Sequence, residues 1–197
     1  MKKTLVSAIL GLAAIASVQA QGNINLYNYN STGAVANPIV YGAGSGGPLG
    51  VGVTTGGYTV GMYIVAGNQT AAINASFNGS GYDLITGMGS QVTGVGATTP
   101  LGDFDPGEYS AASEFNTGFV GQTVTVVVVA YQGANYAGAT VRGHSQAFTM
   151  LTTAATENAA LTGSFMNGFA VSAVPEPSTF ALAGLGLAGL LIFRRRN

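Results

Sequence analysis

The sequence has no cysteine, no tryptophan and a single histidine, His144. Without cysteine there are no disulfides, no thiolate nucleophile and no sulfur-ligated metal. Small exported domains often use disulfides as staples, so this chain must rely on one continuous hydrophobic interior. One histidine without cysteine also falls short of the usual zinc ligand set. Charge is scarce as well. Charged residues make up 7% of the chain, against about 25% in an average soluble domain. Five of the six basic residues sit at the two ends: Lys2, Lys3, Arg194, Arg195 and Arg196. Between Gln21 and Val174, Arg142 alone opposes Asp83, Asp103, Asp105, Glu108, Glu114 and Glu157, a net charge of −5. Such a surface has no grip on a phosphate backbone, which excludes nucleic acid as a partner. No glycine loop ends in Gly-Lys-Ser/Thr, and no G-x-S-x-G nucleophile elbow occurs.

Apolar residues and glycine are what the chain does have: 47% hydrophobic, with 31 glycines among 197 residues. Much of the apolar excess lies in two terminal runs. Lys2 and Lys3 precede an apolar stretch over 5–18, followed by Gln19 and Ala20. Val18 and Ala20 occupy the −3 and −1 positions of a cleavage site between Ala20 and Gln21, the layout of a secretory signal peptide. This predicts handling by export machinery and a signal peptidase. At the other end, Val174-Pro175-Glu176-Pro177-Ser178 leads into an almost wholly apolar stretch over 179–193, then Arg194, Arg195 and Arg196. Two prolines two apart continue neither a ladder nor a helix interior, so they predict an exposed, extended grip for a processing enzyme. As a helix the apolar stretch reaches about 22 Å, short of the roughly 30 Å hydrocarbon core. Snorkelling arginines cover such a deficit and hold that end in the cytoplasm. Both ends therefore predict the same topology, with the middle outside the inner membrane.

The string VPEPSTFALAGLGLAGLLIFRRRN resembles the PEP-CTERM sorting signal of Gram-negative bacteria. That resemblance implies handling by an exosortase, a membrane protease/transpeptidase, and an association with exopolysaccharide. It implies that Pro175, Glu176 and Pro177 are the recognition motif and the Arg194–Arg196 cluster is the retention tag. More of the chain, in QGNINLYNYNS, TVTVVVVAYQG, GHSQAFTM and FAVSAVPEPS, is similar to a family of small PEP-CTERM proteins of verrucomicrobial-type bacteria.

The middle follows a two-residue hydrophobic period. Ile24, Leu26 and Asn28 share one face; Tyr58, Val60, Met62 and Ile64 share another. Residues 123–131 contain Val126-Val127-Val128-Val129, a β-branched run that predicts a strand buried on both faces or a central strand of a sandwich. Further strands are predicted at 39–41, 91–95, 147–151 and 165–171, with helical tendency only at 109–115 and 154–161. Glycine-rich punctuation at 42–50, 56–57, 78–79 and 133 fits turns between short strands. The reading is an all-β chain: a single Gly-rich antiparallel β-sandwich over 21–173, a signal helix over 1–20 before it, and the sorting signal with its transmembrane helix over 174–197.

Chemistry in the middle is thin. Ser145 neighbours His144, but neighbours on a strand face opposite sides, so a serine triad is not expected. Asp103, Asp105, Glu108 and Glu114 echo the spacing of a calcium loop. Gly107 and Glu108 fall where that loop wants a ligand and a glycine, and an Asp-Pro-Gly turn with exposed acids explains the same residues. Tyr27, Tyr29, Tyr131 and Tyr136 are candidates for a sugar-stacking face. The expectation is a non-enzymatic envelope or extracellular-matrix protein without a cofactor. The alternatives are a carbohydrate-binding module on exopolysaccharide and a secreted hydrolase using Asp103, Asp105 or Glu108.

Overall fold

The computed structural model describes residues 22–28, 37–54, 57–89, 106–109, 115–152, 159–160, 166–175 and 185. They form strands with one short helix: β1 (Asn23–Asn25), β2 (Ile39–Tyr41), β3 (Tyr58–Ala66), α1 (Thr70–Ser76), β4 (Phe115–Asn116), β5 (Thr123–Gln132), β6 (Val141–His144), β7 (Phe148–Leu151), β8 (Ala159–Ala160) and β9 (Phe169–Ala173). A six-stranded sheet runs β2-β9-β6-β5-β3, with β7 also paired to β5, and a three-stranded sheet runs β4-β1-β8.

β5 organises the large sheet. Val124 to Ala130 are all buried, and the strand pairs β3 on one edge over nine residues and β6 and β7 on the other. The four-valine run has the two-sided burial that its β-branched composition predicts. Val124, Val126, Val128 and Ala130 point to one face, where they cluster with Val60, Met62 and Ile64 of β3 and with Ile24, Leu26, Ile39, Tyr41, Tyr109 and Met166. Val127, Val129 and Tyr131 point to the other, where Ile73, Met88, Tyr136, Ala139 and Ala147 cover them. Each fully buried valine stabilises by about 1.5–3 kcal/mol relative to exposure, so β5 is the energetic spine of the fold.

Both sheets are mixed, where an antiparallel sandwich was expected. β2 runs parallel to β9, and β1 parallel to β8. A parallel pair needs a long crossover. Here the chain between β2 and β9 builds the rest of the large sheet, so an early strand ends beside the last one. α1 was not expected, because seven residues with one buried apolar side chain, Ile73, carry no helical period. It is held by packing and by Asn74, whose amide donates to the Ala147 carbonyl and accepts from the Ala147 N–H. Of the two stretches with helical tendency, the first ends in β4 at Phe115 and the second contains β8; the rest of both, apart from Tyr109, lies outside the described residues, as does the strand expected at 91–95.

Candidate functional site

Arg142 and His144 stand two apart on β6, so their side chains share a face, the one bearing Val129 and Tyr131. Gly143 between them leaves room on the opposite side for the Ala170 carbonyl of β9. The loop after α1 closes over this face. The Arg142 guanidinium is buried and donates to three carbonyls: Nε to Tyr82 (2.9 Å), and one terminal nitrogen to Tyr136 (3.1 Å) and Ala137 (2.6 Å). It also lies 5.3 Å from the centre of the Tyr136 ring, a distance at which the cation is attracted to the π face. The Tyr136 hydroxyl donates to the Asp83 carbonyl at 2.8 Å. Burial pushes the phenols of Tyr136 and of Tyr109 well above their ordinary range.

His144 is 4% exposed and Asp83 9%. His144 Nε2 lies 3.3 Å from Asp83 Oδ2, and Nδ1 lies 2.8 Å from the Ser145 carbonyl. A carbonyl only accepts, so Nδ1 carries a hydrogen and donates. Nε2 is left facing the Asp83 carboxyl group. Asp83 Oδ1 accepts from Asn78 N–H, His144 N–H donates to the Gly81 carbonyl, and Phe77 packs on the imidazole at 4.1 Å between ring centres. The Ser145 hydroxyl accepts from Val128 N–H within the sheet. Histidine and acid are therefore together, but the serine beside them is bonded to Val128 of the sheet, so His144, Asp83 and Ser145 do not form a triad. His144 is the last residue of β6 and is interior. The cluster fastens the 77–85 loop to the sheet with every polar group turned inward.

A second buried knot serves the acidic segment. Asn28 is fully buried. Its amide nitrogen donates to Gly107 (2.9 Å) and Asn37 (3.2 Å) carbonyls, and its oxygen accepts from Tyr109 N–H (2.8 Å). Glu108 is buried within this segment, which corrects the picture of exposed acids in a solvated turn. Its companions in the calcium-loop reading, Asp103, Asp105 and Glu114, lie outside the described residues. Among the described residues no three His, Cys, Asp or Glu side chains gather as a metal would require. Of the tyrosines considered for sugar stacking, Tyr131 and Tyr136 are interior, Tyr27 is half-buried and Tyr29 lies outside the described residues. An open depression beside α1, lined by Asn68, Gln69, Thr70, Ala71 and Ala72, contains no ionisable side chain. A lone arginine and histidine at a two-residue spacing was the available signal for the Arg142–His144 face; nothing near Asp83 or Asn28 announces their partners.

The third feature is where the fold stops. β9 is interior to the large sheet, between β2 and β6. Ala173 N–H donates to the Ala43 carbonyl and Val174 N–H to the Thr140 carbonyl, both at 2.8 Å. The next residue, Pro175, is exposed and cannot donate. The described fold thus hands over to Pro175 without a spacer. Residues 173–196 match the PEP-CTERM protein-sorting motif. The match supports an exported protein that an exosortase sorts, with the cell surface or the extracellular space as its destination. No curated protein and no solved structure matches the chain. Ala20, Gln21, Glu176, Pro177, Ser178 and Arg194, Arg195 and Arg196 lie outside the described residues. Among the described residues no helix is long and apolar enough to cross a membrane.

Proposed function

We propose that the chain is a non-enzymatic structural protein of the cell envelope or extracellular matrix, made as a precursor, cleaved after Ala20, anchored transiently through 179–193 and processed by an exosortase near Pro175. The observation that carries this reading is the abrupt junction at Val174 and Pro175, where an interior strand ends and Pro175 of the matched motif is exposed. The interior groups that carry chemistry also support it. Arg142, Asp83, His144 and Ser145 spend their hydrogen bonds on holding loops and strands together, which suits a module whose task is to keep its shape. On this reading the body, residues 21–173, is a β-sandwich-like layer pair related to the small PEP-CTERM proteins of verrucomicrobial-type bacteria, and it works among exopolysaccharide.

Fractionation of a strain lacking the exosortase tests the proposal. The expected result is an accumulated membrane-bound precursor that retains its C-terminal tail, with no product at the surface. Unchanged surface product in that strain refutes the reading.

A further inference from the structure

The strand directions give the large sheet two distinct ends. Ala173 of β9 pairs with Val141, Arg142 with Tyr131, and Tyr58 with Gln132. The chain therefore leaves the fold at the end that also holds the start of β6, the end of β5 and the start of β3. β2 runs parallel to β9, so the loop that follows it emerges at that same end. Gly42 N–H donates to the Val171 carbonyl at 2.7 Å, Ala173 N–H to the Ala43 carbonyl, and the Tyr58 hydroxyl to the Ser45 carbonyl at 2.9 Å. The loop then turns back, with Gly50 N–H on the Tyr41 carbonyl and Tyr41 N–H on the Val51 carbonyl, both at 2.8 Å. Gly50 makes this turn at φ 77°, open to glycine without strain. The tip of the turn is apolar and exposed: Leu49 is 77% and Val51 46% accessible, and Pro48 is exposed beside them. Neither 42–54 nor 133–141 contains a charged residue.

The tether is short. Four residue steps separate Pro175 from Thr179, where the apolar stretch begins, and at full extension they span at most ~14 Å. β5 is about 33 Å long at ten residues. A body that size on a tether that short cannot stand clear of the bilayer, and its exit end is the end drawn down. We propose that in the precursor the 42–51 turn is a membrane-docking surface, with Leu49 and Val51 seated in the interfacial layer of the lipid bilayer beside the point where the chain enters it. This rests on the membrane-anchored precursor of the proposed function. The occupant is lipid because the tether brings lipid there. Two apolar side chains on an uncharged rim suit the headgroup boundary, where interfacial segments bury their apolar side about 5–10 Å deep. Docking would present the Val174–Pro175 junction to a membrane protease in a fixed orientation.

The absence of native cysteine makes single-site labelling clean. Leu49→Cys, Leu151→Cys and Leu185→Cys variants of the full chain would carry a polarity-sensitive fluorophore in phosphatidylethanolamine–phosphatidylglycerol vesicles containing lipids with nitroxide quenchers at both shallow and mid-chain depths. Leu49 and Leu151 are both exposed, at 77% and 58%, so neither change threatens the fold. Leu151 pairs with Thr123 at the far end of β5 and serves as the distant control. The expected result is strong quenching at Leu185, a roughly twofold loss of emission at Leu49, as shallow interfacial burial requires, and little change at Leu151. Quenching at Leu185 with Leu49 behaving like Leu151 overturns the docking surface and leaves the anchored precursor standing. No quenching at Leu185 overturns the anchored precursor, and the docking surface falls with it.

Discussion

Replacing Asn28 by alanine tests how the acidic segment is held. The residue is fully buried, and its amide makes two of the hydrogen bonds that tie 106–109 to the body and a third to the Asn37 carbonyl. The losses are unequal. Gly107 O still accepts from Ile39 N–H at 3.1 Å, so it keeps a partner. Tyr109 N–H keeps none among these contacts, and an orphaned buried donor costs about 1–3 kcal/mol. Adding the weakened bonds to Gly107 and Asn37 and the small void brings the expected loss to about 2–4 kcal/mol. That is a large part of the roughly 5–15 kcal/mol total for a domain of ordinary stability. Asn28→Asp is the sharper variant. It keeps the shape and the acceptor for Tyr109 N–H, yet at pH 7 it places a carboxylate against the Gly107 and Asn37 carbonyls in place of a donor. It should be at least as destabilising as alanine. Urea denaturation followed by far-UV circular dichroism measures both. An Asn28→Ala loss below about 0.5 kcal/mol, the size of an ordinary surface change, would refute the reasoning, as would an Asn28→Asp protein more stable than Asn28→Ala.

Other predictions follow from the same contacts. Arg142→Lys keeps the charge but not the fork that reaches Tyr82 and the Tyr136–Ala137 carbonyls. It should cost about 1–3 kcal/mol in the same denaturation assay. Gly107→Ala places a Cβ 2.7 Å from the Ile39 carbonyl oxygen and from Pro38 Cβ at φ +84°. The left-handed backbone alone costs about 1–2 kcal/mol, so the melting temperature should fall by several degrees. Burial, with Tyr41 nearby as a smaller cause, pushes the Tyr58 phenol up to about 12 from 10.0. The folded phenol holds its proton more tightly than the unfolded one, so stability is complete below pH 10 and declines between about 10 and 12. Tyrosinate absorbance and circular dichroism should therefore rise and fall together in an alkaline titration. Tyr58 ionising near pH 10 in a still-folded protein would contradict this.

Some of this fold was legible because the signal was local. The valine run of β5 needs no partner to announce a strand buried on both sides, and Ile39 to Tyr41 stand between clear turn residues. β6 was not legible, because Val-Arg-Gly-His has a charge and a glycine where a strand pattern wants apolar alternation. Only β5 and β9 on either side make it a strand. The parallel pairing of β2 with β9 joins distant parts of the chain and leaves no periodicity to read. The same holds for the site: Asp83 meets His144 across 61 positions and Asn28 meets Tyr109 across 81, so each half looks like an ordinary turn or strand residue. The sorting end was the most legible part because it is a linear signal. A protease and a membrane read it in sequence order, and no fold has to assemble it first.

The most direct test of the account is the intact mass of the protein recovered from the cell surface or the medium. The account predicts one polypeptide that starts at Gln21 and ends near Pro175, without the apolar stretch and the arginine tail. A chain running from Met1 to Asn197, folded and retained in the cytosol, would contradict it.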